Sequence, residues 1–551
     1  MDETDIRKYA IQNAVRFGGK ANPKAVIGKV IAAVPDARDK LAVLSKQIAG
    51  IVKEVNSLSA DRQKEELEKY TFQAPDKPET HLFSFLGIRE GQKIVTAFPP
   101  EPSKYPHIGH AKACLLNYEL AKKYNGRFIL RFEDTNPNLV REEYYTIHLD
   151  SYMWLGIRPD EVDYASDHMA DFYRLAEKLI HANKAYVCSC SQERIKESRL
   201  GKPCQCRLRT AEANVLLWKV MFSSDEGKFV LRLKIDLEHK NSTMRDPTIM
   251  RIIKVHHPRL KGKFTVWPNY DFENAVMDAL EGITHRLRSK EFEMRNELQR
   301  WIQGSLGFPE TSIYEFARFN MEGVLSSGRV IREKIENKEL IGWDDPSLTT
   351  LAALRRRGFL PRAIHDFVLK TGITKVEATL SWDDFVVHNR RLLDSTSNRY
   401  FFVDSPVKVR IRNAPEQKVS LKIHPKAKSR SRHFKTHELF YISEEDSHLK
   451  PDRLYRLMDC LNFRNCRGQT LFDSLDVQNF RSGGDKIMHW LPVDKTLVKV
   501  QILMPDHTIR KGLAESLVSK LKPGITVQFE RFGFCKLDKI NREYFFWFTH
   551  N

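Results

Sequence analysis

One short stretch of the chain restricts its possible folds more than any other. An apolar strand candidate at 93–98 is followed by a proline-rich turn, by a helix that begins at the tetrapeptide HIGH (107–110), and by a second strand candidate at 127–132. The turn cannot be regular structure, because proline lacks a backbone N–H and fixes φ. A strand, a loop, a helix and a strand in this order predict the beginning of a parallel βαβ sheet.

The first turn of this helix has the properties of a phosphate site. A helix N-terminus presents free N–H groups and a partial positive charge, and Gly109 lets a ligand approach the backbone closely. His107 and His110 are three residues apart, so both side chains lie on one side of the turn and can donate hydrogen bonds to developing negative charge. An isolated HxxH pair is compatible with a metal site or with no function, but the strand–turn–helix context favours phosphate.

This region of the sequence resembles the class I aminoacyl-tRNA synthetases, in their glutamyl/glutaminyl branch. The segment that carries the resemblance is FPPEPSKYPHIGHAKACLLNYELAKKYNGRFILRFEDTNP. Further motifs spread the resemblance over nearly the whole chain: AYVCSCS, VWPNYDFENAVMDALEGITHRLRSKEFE, GWDDPSLTTLAALRRRGF, NRYFFV, LYRLMDCLN, HWLPVD and QFERFGF. The stretch KANPKAVIGKV and the β-rich C-terminal part are similar to the archaeal type of glutamyl-tRNA synthetase, whereas bacterial enzymes of this specificity end in helices.

The resemblance implies an ATP-dependent ligase with Mg²⁺ as cofactor. L-Glutamate would be converted to glutamyl-adenylate and then transferred to the 3′-terminal adenosine of tRNA-Glu, at its 2′-OH. No protein nucleophile is needed, so catalysis rests on positioning and charge stabilisation. The expected catalytic residues are His107, His110 and Arg329. The expected ATP-binding residues are His107, Gly109, His110, Ser326, Ser327 and Arg329.

The amino-acid pocket that the resemblance implies contains Glu133, Tyr270, Asn274 and Arg288, with Glu133 facing the α-amino group. Arg288 favours glutamate over glutamine, because a guanidinium binds a carboxylate with two parallel hydrogen bonds. A buried cation that faces a neutral amide would be left poorly paired. The alternative is that Arg288 is a surface arginine in a basic stretch.

Two positions depart from the family pattern. Family members usually carry an arginine where this chain has Ala97, so either substrate affinity is reduced or another cation substitutes. The second signature loop of the family is reduced here to VLSSGR (324–329). Arg329 keeps the positive charge and Gly328 keeps the loop mobile, but arginine is not equivalent to lysine in geometry.

The cysteines predict one metal site in a reducing compartment. Cys188, Cys190, Cys204 and Cys206 form a CxC-x13-CxC pattern with basic flanks, which suits a closed, structural zinc site. The alternative is four free thiols without metal. Eight cysteines in 551 residues are no disulfide scaffold, so we expect a cytoplasmic protein. No apolar stretch approaches the roughly 18–20 residues of a membrane span, and the N-terminus has no secretory apolar region.

The charge balance predicts a polyanionic partner. Lys and Arg number 90 against 71 Asp and Glu, a formal net charge of +19, and such an excess is typical of nucleic-acid binding. The excess is concentrated at 194–209 and 404–435, where a tRNA would lie; a solvated loop is the alternative for the second stretch. We expect tRNA-Glu as partner, with charging of tRNA-Gln left open, and a monomer.

The predicted fold is multidomain, with a Rossmann-like parallel-sheet catalytic domain of the class I synthetase type. The expected parts are an N-terminal helical region with linker (1–85), the catalytic domain (86–325) with an acceptor-binding, zinc-bearing insertion (about 188–265), a helical connector (326–395), and β-barrel anticodon-binding domains (396–551).

Other functions stay open at this point. A glutaminyl-tRNA synthetase would activate glutamine but not glutamate. A catalytically degenerate tRNA-binding paralogue, suggested by Ala97 and the reduced loop, would bind tRNA but not ATP. A zinc-containing RNA-binding module without synthetase ancestry does not explain the Rossmann-like part. We interpret Trp267 as a core aromatic and the Asp344-Asp345 pair as a cap rather than a metal site.

Overall fold

The computed structural model describes residues 3–16, 19–33, 41–68, 70, 82–89, 91–325, 327–427 and 430–551. The chain divides into two compact units, Met1–Leu86 and Gly87–Asn551. Within the part of the chain that the structure describes, no helix has both the length and the apolar character that a bilayer crossing requires.

The first unit is helical, as its sequence predicts. Its α-helices are Glu3–Arg16, Pro23–Ala33, Leu41–Ser57 and Ala60–Glu68, and a short 3-10 turn follows at Ser84–Leu86. The third helix presents Ile48, Val52 and Val55 at spacings of three and four residues, and all three are buried in one apolar cluster. This stripe holds the helices together.

The second unit begins with the predicted parallel sheet. Strands Val95–Phe98, Arg127–Phe132 and Glu161–Tyr164 pair in parallel, with Val95 opposite Arg127. The connection between the first two strands is the helix Ile108–Lys123, here called the signature helix. A second parallel pair consists of His285–Ser289, here called the pocket strand, and Ser312–Phe316. The pocket strand adjoins the first strand, because the Thr284 amide donates to the Val95 carbonyl at 2.9 Å.

The signature helix packs against the first two strands of this sheet and against the pocket strand. Tyr270–Leu280, here called the pocket helix, packs against Asn296–Leu306. The other α-helices of the region are Glu142–Trp154 and Met169–His181. Single 3-10 segments occur at Ala165–His168 and Lys290–Arg295.

The predicted insertion is an antiparallel sheet of Ala185–Cys188, Val230–Leu233, Thr248–Ile252 and Val266–Pro268, in that order. Its α-helices are Gln192–Ser198 and Ala211–Met221, with 3-10 segments at Gln205–Leu208 and Ser242–Met244. Trp267 is fully buried in the core beneath this sheet, which confirms its interpretation as a core aromatic.

The connector is helical, as the sequence predicts. Its helices are Gly328–Glu336, Leu351–Arg357, Pro361–Thr371 and Trp382–Thr396. A short parallel strand pair joins Phe319–Met321, which precedes the connector, to Ala378–Leu380 within it. Asp345 closes a turn before the second helix, because its carboxylate accepts hydrogen bonds from the Ile341 and Ser347 amides.

The C-terminal part is β-rich and its main sheet is curled. In spatial order that sheet contains Arg399–Tyr400, Thr526–Phe529, Gly533–Ile540, Tyr544–His550, Val498–Leu503, Ile509–Ala514 and Phe402–Asp404. The two edge strands, 399–400 and 402–404, are consecutive in the chain, so the sheet must curl until its edges nearly meet. Such curling leaves little exposed strand edge.

Smaller sheets complete this part. One contains Pro406–Arg410, Leu439–Ser443 and Leu491–Pro492, a second Gln417–Lys422 and Ser431–Thr436, and a third Gln469–Ser474, Asn462–Cys466, Leu454–Leu457 and Lys486–Met488. The helical segments are Val477–Arg481, Glu445–Ser447 and Ser516–Lys520.

Candidate active site

A cavity of about 760 Å³ opens beyond the carboxyl ends of the parallel strands. This is the position at which open α/β sheets bind their ligands. The wall of this central cavity includes six of the predicted site residues: His107, Gly109, His110, Glu133, Tyr270 and Arg288. The structure therefore brings to one place three of the six expected ATP-binding residues, His107, Gly109 and His110, and three of the four residues of the expected amino-acid pocket.

The backbone fixes the two signature histidines as hydrogen-bond donors toward this cavity. His107 is the N-cap of the signature helix, and its Nδ1 accepts from the Gly109 amide at 3.0 Å. His110 Nδ1 accepts from the His107 amide at 3.2 Å, which completes a reciprocal capping box. Because an amide N–H can only donate, each Nδ1 is unprotonated and each neutral ring carries its proton on Nε2.

Burial keeps both rings neutral. It lowers the pKa of His107 to about 3, with a further contribution from the positive charge of Lys104. Burial likewise lowers the pKa of His110 far below its usual range. At neutral pH the site therefore offers two Nε2–H donors and no imidazolium charge.

The glycine of the tetrapeptide has a local structural reason. A Cβ at Gly109 would lie 2.8 Å from the His107 ring carbon Cε1 and 2.9 Å from Nδ1. A larger residue would push the imidazole out of its capping position. Gly109 is thus required by the histidine before it as well as by any ligand that approaches the turn.

The amino-acid end of the cavity contains a buried arginine without an ion partner. Arg288 is 6% exposed, and its guanidinium donates to Gln299 Oε1 at 3.2 Å and to Asn296 Oδ1. It makes no salt bridge to any residue that the structure describes, and burial lowers its pKa. A desolvated cation with only amide partners is completed by a carboxylate ligand.

The other residues of the predicted pocket lie around it. Tyr270 stacks on Phe292, with ring centroids 5.4 Å apart. Asn274 lies behind the cavity wall, where its Nδ2 donates to Glu133 Oε1 at 2.6 Å. Burial raises the pKa of Glu133, although the Arg131 charge opposes the shift. Asn274 thus positions Glu133 rather than lining the cavity itself.

The second signature loop is less complete. Ser326 lies outside the described residues, and Ser327 precedes the helix Gly328–Glu336 without capping it through its side chain. Arg329 is 87% exposed at its side chain, pairs with Glu333 at 3.0 Å, and is not part of the cavity wall. Its role at ATP stays a prediction.

Sequence reasoning missed a lysine at this end of the cavity. Lys104 lines the wall, and its Cδ would lie 2.8 Å from a Cβ at Gly328. Gly328 is therefore a point of close approach between the second loop and the proline-rich turn. The signal was present in the sequence, because Lys104 is the single cation of PPEPSKYP, directly before the histidines.

The position that lacks the family arginine is fully buried. Ala97 packs with Val95, Ile129 and Ile283 in a small apolar cluster. The first strand therefore contributes no cation to the site.

The four predicted zinc ligands converge. The sulfur atoms of Cys188, Cys190, Cys204 and Cys206 all lie within 4.8 Å of one another. Cys188 and Cys204 approach to 3.9 Å, and Cys190 and Cys206 to 3.8 Å. Tetrahedral zinc with Zn–S bonds of about 2.3 Å requires S–S separations of about 3.8 Å. The donor set thus fits zinc in number, type and spacing.

Family models match three consecutive parts of the chain. The model described as tRNA synthetases class I (E and Q), catalytic domain, matches residues 93–395. Models of the anti-codon binding domain of the same family match 397–471 and 487–538. These matches confirm the class I synthetase fold that the sequence predicts.

Curated relatives match over almost the full length. The glutamate–tRNA ligase of Pyrococcus abyssi is 39% identical over 97% of this chain and 97% of the relative. The glutamate–tRNA ligases of Methanocaldococcus jannaschii (36% identical; 98% of this chain, 99% of the relative) and Methanosphaera stadtmanae (35%; 100% of both) are similar. The chain therefore belongs to the class I tRNA synthetases of the glutamate and glutamine (E and Q) family.

Proposed function

We propose that this chain is a glutamate–tRNA ligase, which activates L-glutamate with ATP and transfers it to the 3′-terminal adenosine of tRNA-Glu. The observation that carries the proposal is Arg288, a buried guanidinium on the cavity wall whose hydrogen-bond acceptors among the described residues are the amides of Asn296 and Gln299. A glutamate side chain supplies the missing carboxylate, whereas glutamine does not. The full-length relatives named glutamate–tRNA ligase support the same conclusion.

In the first step the α-carboxylate of glutamate attacks the α-phosphorus of ATP. One O–P bond forms, the bond to the bridging oxygen breaks, and pyrophosphate leaves. The Nε2–H groups of His107 and His110 donate to phosphate oxygens as their charge rises, while Lys104 adds positive charge at the same end. Arg288, Tyr270 and Glu133 hold the amino acid in line for attack. In the second step the terminal 2′-OH of the tRNA attacks the activated carbonyl and AMP leaves.

The second signature loop completes the ATP site in this proposal. Ser326, Ser327 and Arg329 close over the phosphates, and Arg329 exchanges its Glu333 partner for a phosphate oxygen. Mg²⁺ that enters with ATP would neutralise phosphate charge as pyrophosphate leaves.

The other parts of the chain serve the tRNA. We assign residues 86–325 to the catalytic domain, with the insertion at about 188–265 on the acceptor end, and 326–395 to the connector. Residues 396–551 bind the anticodon, with unstacked bases on aromatic side chains. The four-cysteine cluster holds one structural Zn²⁺, which the sulfur spacing supports. We further propose a cytoplasmic monomer that charges tRNA-Glu and, depending on anticodon contacts, tRNA-Gln.

ATP–pyrophosphate exchange tests the proposal. Purified protein with tRNA-Glu should exchange pyrophosphate with glutamate and not with glutamine. Exchange with glutamine alone would identify a glutaminyl enzyme. Binding of tRNA without any ATP binding would identify a degenerate paralogue. Charging of tRNA-Glu and tRNA-Gln with labelled glutamate then decides the tRNA range.

A further inference from the structure

We infer that Arg286 is a second cation of the amino-acid pocket and binds the side-chain carboxylate of glutamate together with Arg288. The inference rests on the proposed function and names a specificity residue within it. Arg286 and Arg288 are two residues apart on the pocket strand, so their side chains lie on the same face of the sheet. Both belong to the wall of the central cavity.

Arg286 is buried but incompletely compensated. It is 1% exposed, donates to Asn274 Oδ1, and contacts Asp278 Oδ1 at 2.6 Å. That carboxylate is shared, because Arg131 also approaches Asp278 Oδ1 at 3.1 Å. The Nε of Arg286 has no hydrogen-bond partner within the described parts of the chain. A buried guanidinium in this state gains from an additional anion.

Arg131 differs from Arg286 in the carboxylates that surround it, although its Nε and Nη2 atoms also lack a hydrogen-bond partner among the described residues. It pairs with Asp278 at 3.1 Å, with Glu281 at 2.6 Å and with Glu133 at 3.7 Å, and it is not part of the cavity wall. Arg131 therefore balances the acidic side chains beneath the sheet, and Arg286 is the arginine of this group that faces the cavity.

Three other cations on the wall are engaged with protein groups. Lys112 Nζ donates to the Ala317 carbonyl at 3.0 Å. Arg251 donates to Asn269 Oδ1, and Arg318 forms an exposed pair with Glu291. Among the cations that the structure places on the wall, Arg286 is the one joined to Glu133 through a single amide: Asn274 accepts from Arg286 and donates to Glu133.

This network matches the charges of glutamate. Asn274 fixes a carboxylate, Glu133, on one side and a guanidinium, Arg286, on the other. The α-ammonium of the substrate fits Glu133, and the side-chain carboxylate fits the two arginines of the pocket strand. Their mutual repulsion in the free protein is relieved when the anion binds.

The position of Ala97 explains why the cation comes from this strand. Ala97 and Ile129 lie on one face of the sheet, and Arg131 follows two residues after Ile129 on that same face. Arg131 and Arg286 meet at Asp278. Arg286 therefore reaches the face where a cation at position 97 would lie, and it takes over the charge that the first strand lacks.

The test measures glutamate and ATP dependence separately, by tRNA-dependent pyrophosphate exchange. We expect Arg286→Ala to raise the KM for glutamate about 30- to 100-fold, as for truncation of one partner of a buried charge pair, with the KM for ATP changed less than about threefold. The glutamate KM of Arg286→Lys should lie between those of the unmodified enzyme and Arg286→Ala, because lysine keeps the charge but loses the two parallel hydrogen bonds of the guanidinium. Adding Ala97→Arg to the Arg286→Ala variant should lower its glutamate KM about tenfold. The control is Arg300→Ala, which removes one exposed cation that is paired with Glu310 and lies outside the cavity.

The outcomes separate this inference from the proposed function. Charging of glutamate by the unmodified enzyme tests the function alone. If that activity is present and Arg286→Ala has the same glutamate KM as Arg300→Ala, the inference is wrong and the function stands. If Arg286→Ala fails to fold, as shown by a lost thermal transition, Arg286→Lys decides: an unchanged glutamate KM in that variant overturns the inference, and a raised KM with unchanged ATP dependence supports it.

Discussion

His107 and His110 act as neutral donors because the backbone occupies their Nδ1 atoms. The same capping box that begins the signature helix therefore also sets the tautomers of the site. Structure and chemistry are coupled here through two hydrogen bonds of 3.0 and 3.2 Å.

Removal of one donor should slow activation without weakening glutamate binding. We expect His110→Ala to lower kcat of pyrophosphate exchange about 10²- to 10³-fold, the effect of one lost donor to a developing oxyanion. The glutamate KM should stay within about threefold, because the amino-acid pocket is formed by other elements. Exchange kinetics at saturating ATP measure both values. A large rise in glutamate KM with unchanged kcat would contradict this role.

A buried histidine next to the site should make stability depend on pH. His148 is fully buried, bonds to the Tyr152 hydroxyl and the Lys104 carbonyl, and burial lowers its pKa to about 4. The unfolded chain takes up this proton near pH 6.5 and the folded chain only near pH 4, so stability falls as pH decreases between these values. We expect a loss of about 1.4 kcal/mol per pH unit from this group. Urea unfolding at pH 7 and pH 5 measures this loss. His148→Gln should reduce the difference in unfolding free energy between the two pH values, and an unchanged difference would contradict the role of His148.

The insertion that carries the four cysteines should depend on a metal ion held by their thiolates. Cys188 ends a strand of the insertion sheet, Cys204 directly precedes a short 3-10 segment and Cys206 lies within it, so the metal would join two pieces that are separated in sequence. We expect the purified protein to contain about one zinc per chain and Cys204→Ser to lose it. Metal analysis and tRNA charging measure the effect. Glutamate activation should be less affected than tRNA binding. Full zinc content in Cys204→Ser would exclude this ligand set.

The elements around the signature tetrapeptide were predictable from sequence because local signals agree there. The apolar runs, the proline-rich turn and the helix N-terminus predict the order strand, loop, helix and strand. The structure has strands at Val95–Phe98 and Arg127–Phe132 on either side of the signature helix. The four cysteines were also predictable, since ligand chemistry restricts their spacing.

Other parts of the site depend on tertiary contacts that no local pattern contains. Arg286 and Arg288 cannot be told apart in the sequence, because they differ only in their partners from other elements. Arg286 contacts Asp278 and Asn274. Arg288 donates to Asn296 and Gln299. The position of Asn274 behind the wall likewise follows from packing. Both the strand His285–Ser289 and the roles of its two arginines became visible only in the fold.

The connector joins the catalytic part to the C-terminal sheets. Arg356 contacts Asp344 and Asp538, and Arg357 donates to the carbonyls of Phe548 and Thr549. The chain just before these arginines reaches the active site, because the Ile108 amide donates to the Thr349 carbonyl. The short helix Leu351–Arg357 thus links the two sets of contacts. The chain just before it bonds to the signature helix, and the arginines at its end bond to the C-terminal part.

Removal of the Arg357 side chain should weaken tRNA binding more than glutamate binding. Arg357 is 4% exposed and bonds to three backbone carbonyls, those of Pro346, Phe548 and Thr549. We expect Arg357→Ala to destabilise the protein by about 2–4 kcal/mol, because buried acceptors lose their donor. The KM for tRNA should rise more than the KM for glutamate. Thermal unfolding and charging kinetics measure both; equal changes in the two KM values would indicate a general loss of structure.

We propose that a buried arginine pair makes this enzyme specific for glutamate, and the ratio of kcat/KM for glutamate to that for glutamine measures this specificity. We predict that the unmodified enzyme prefers glutamate by at least about 10³-fold, and that Arg288→Ala reduces this ratio by about two orders of magnitude, the loss of one fully desolvated ion contact. A preference for glutamine in the unmodified enzyme, or an unchanged ratio in Arg288→Ala, would contradict the account.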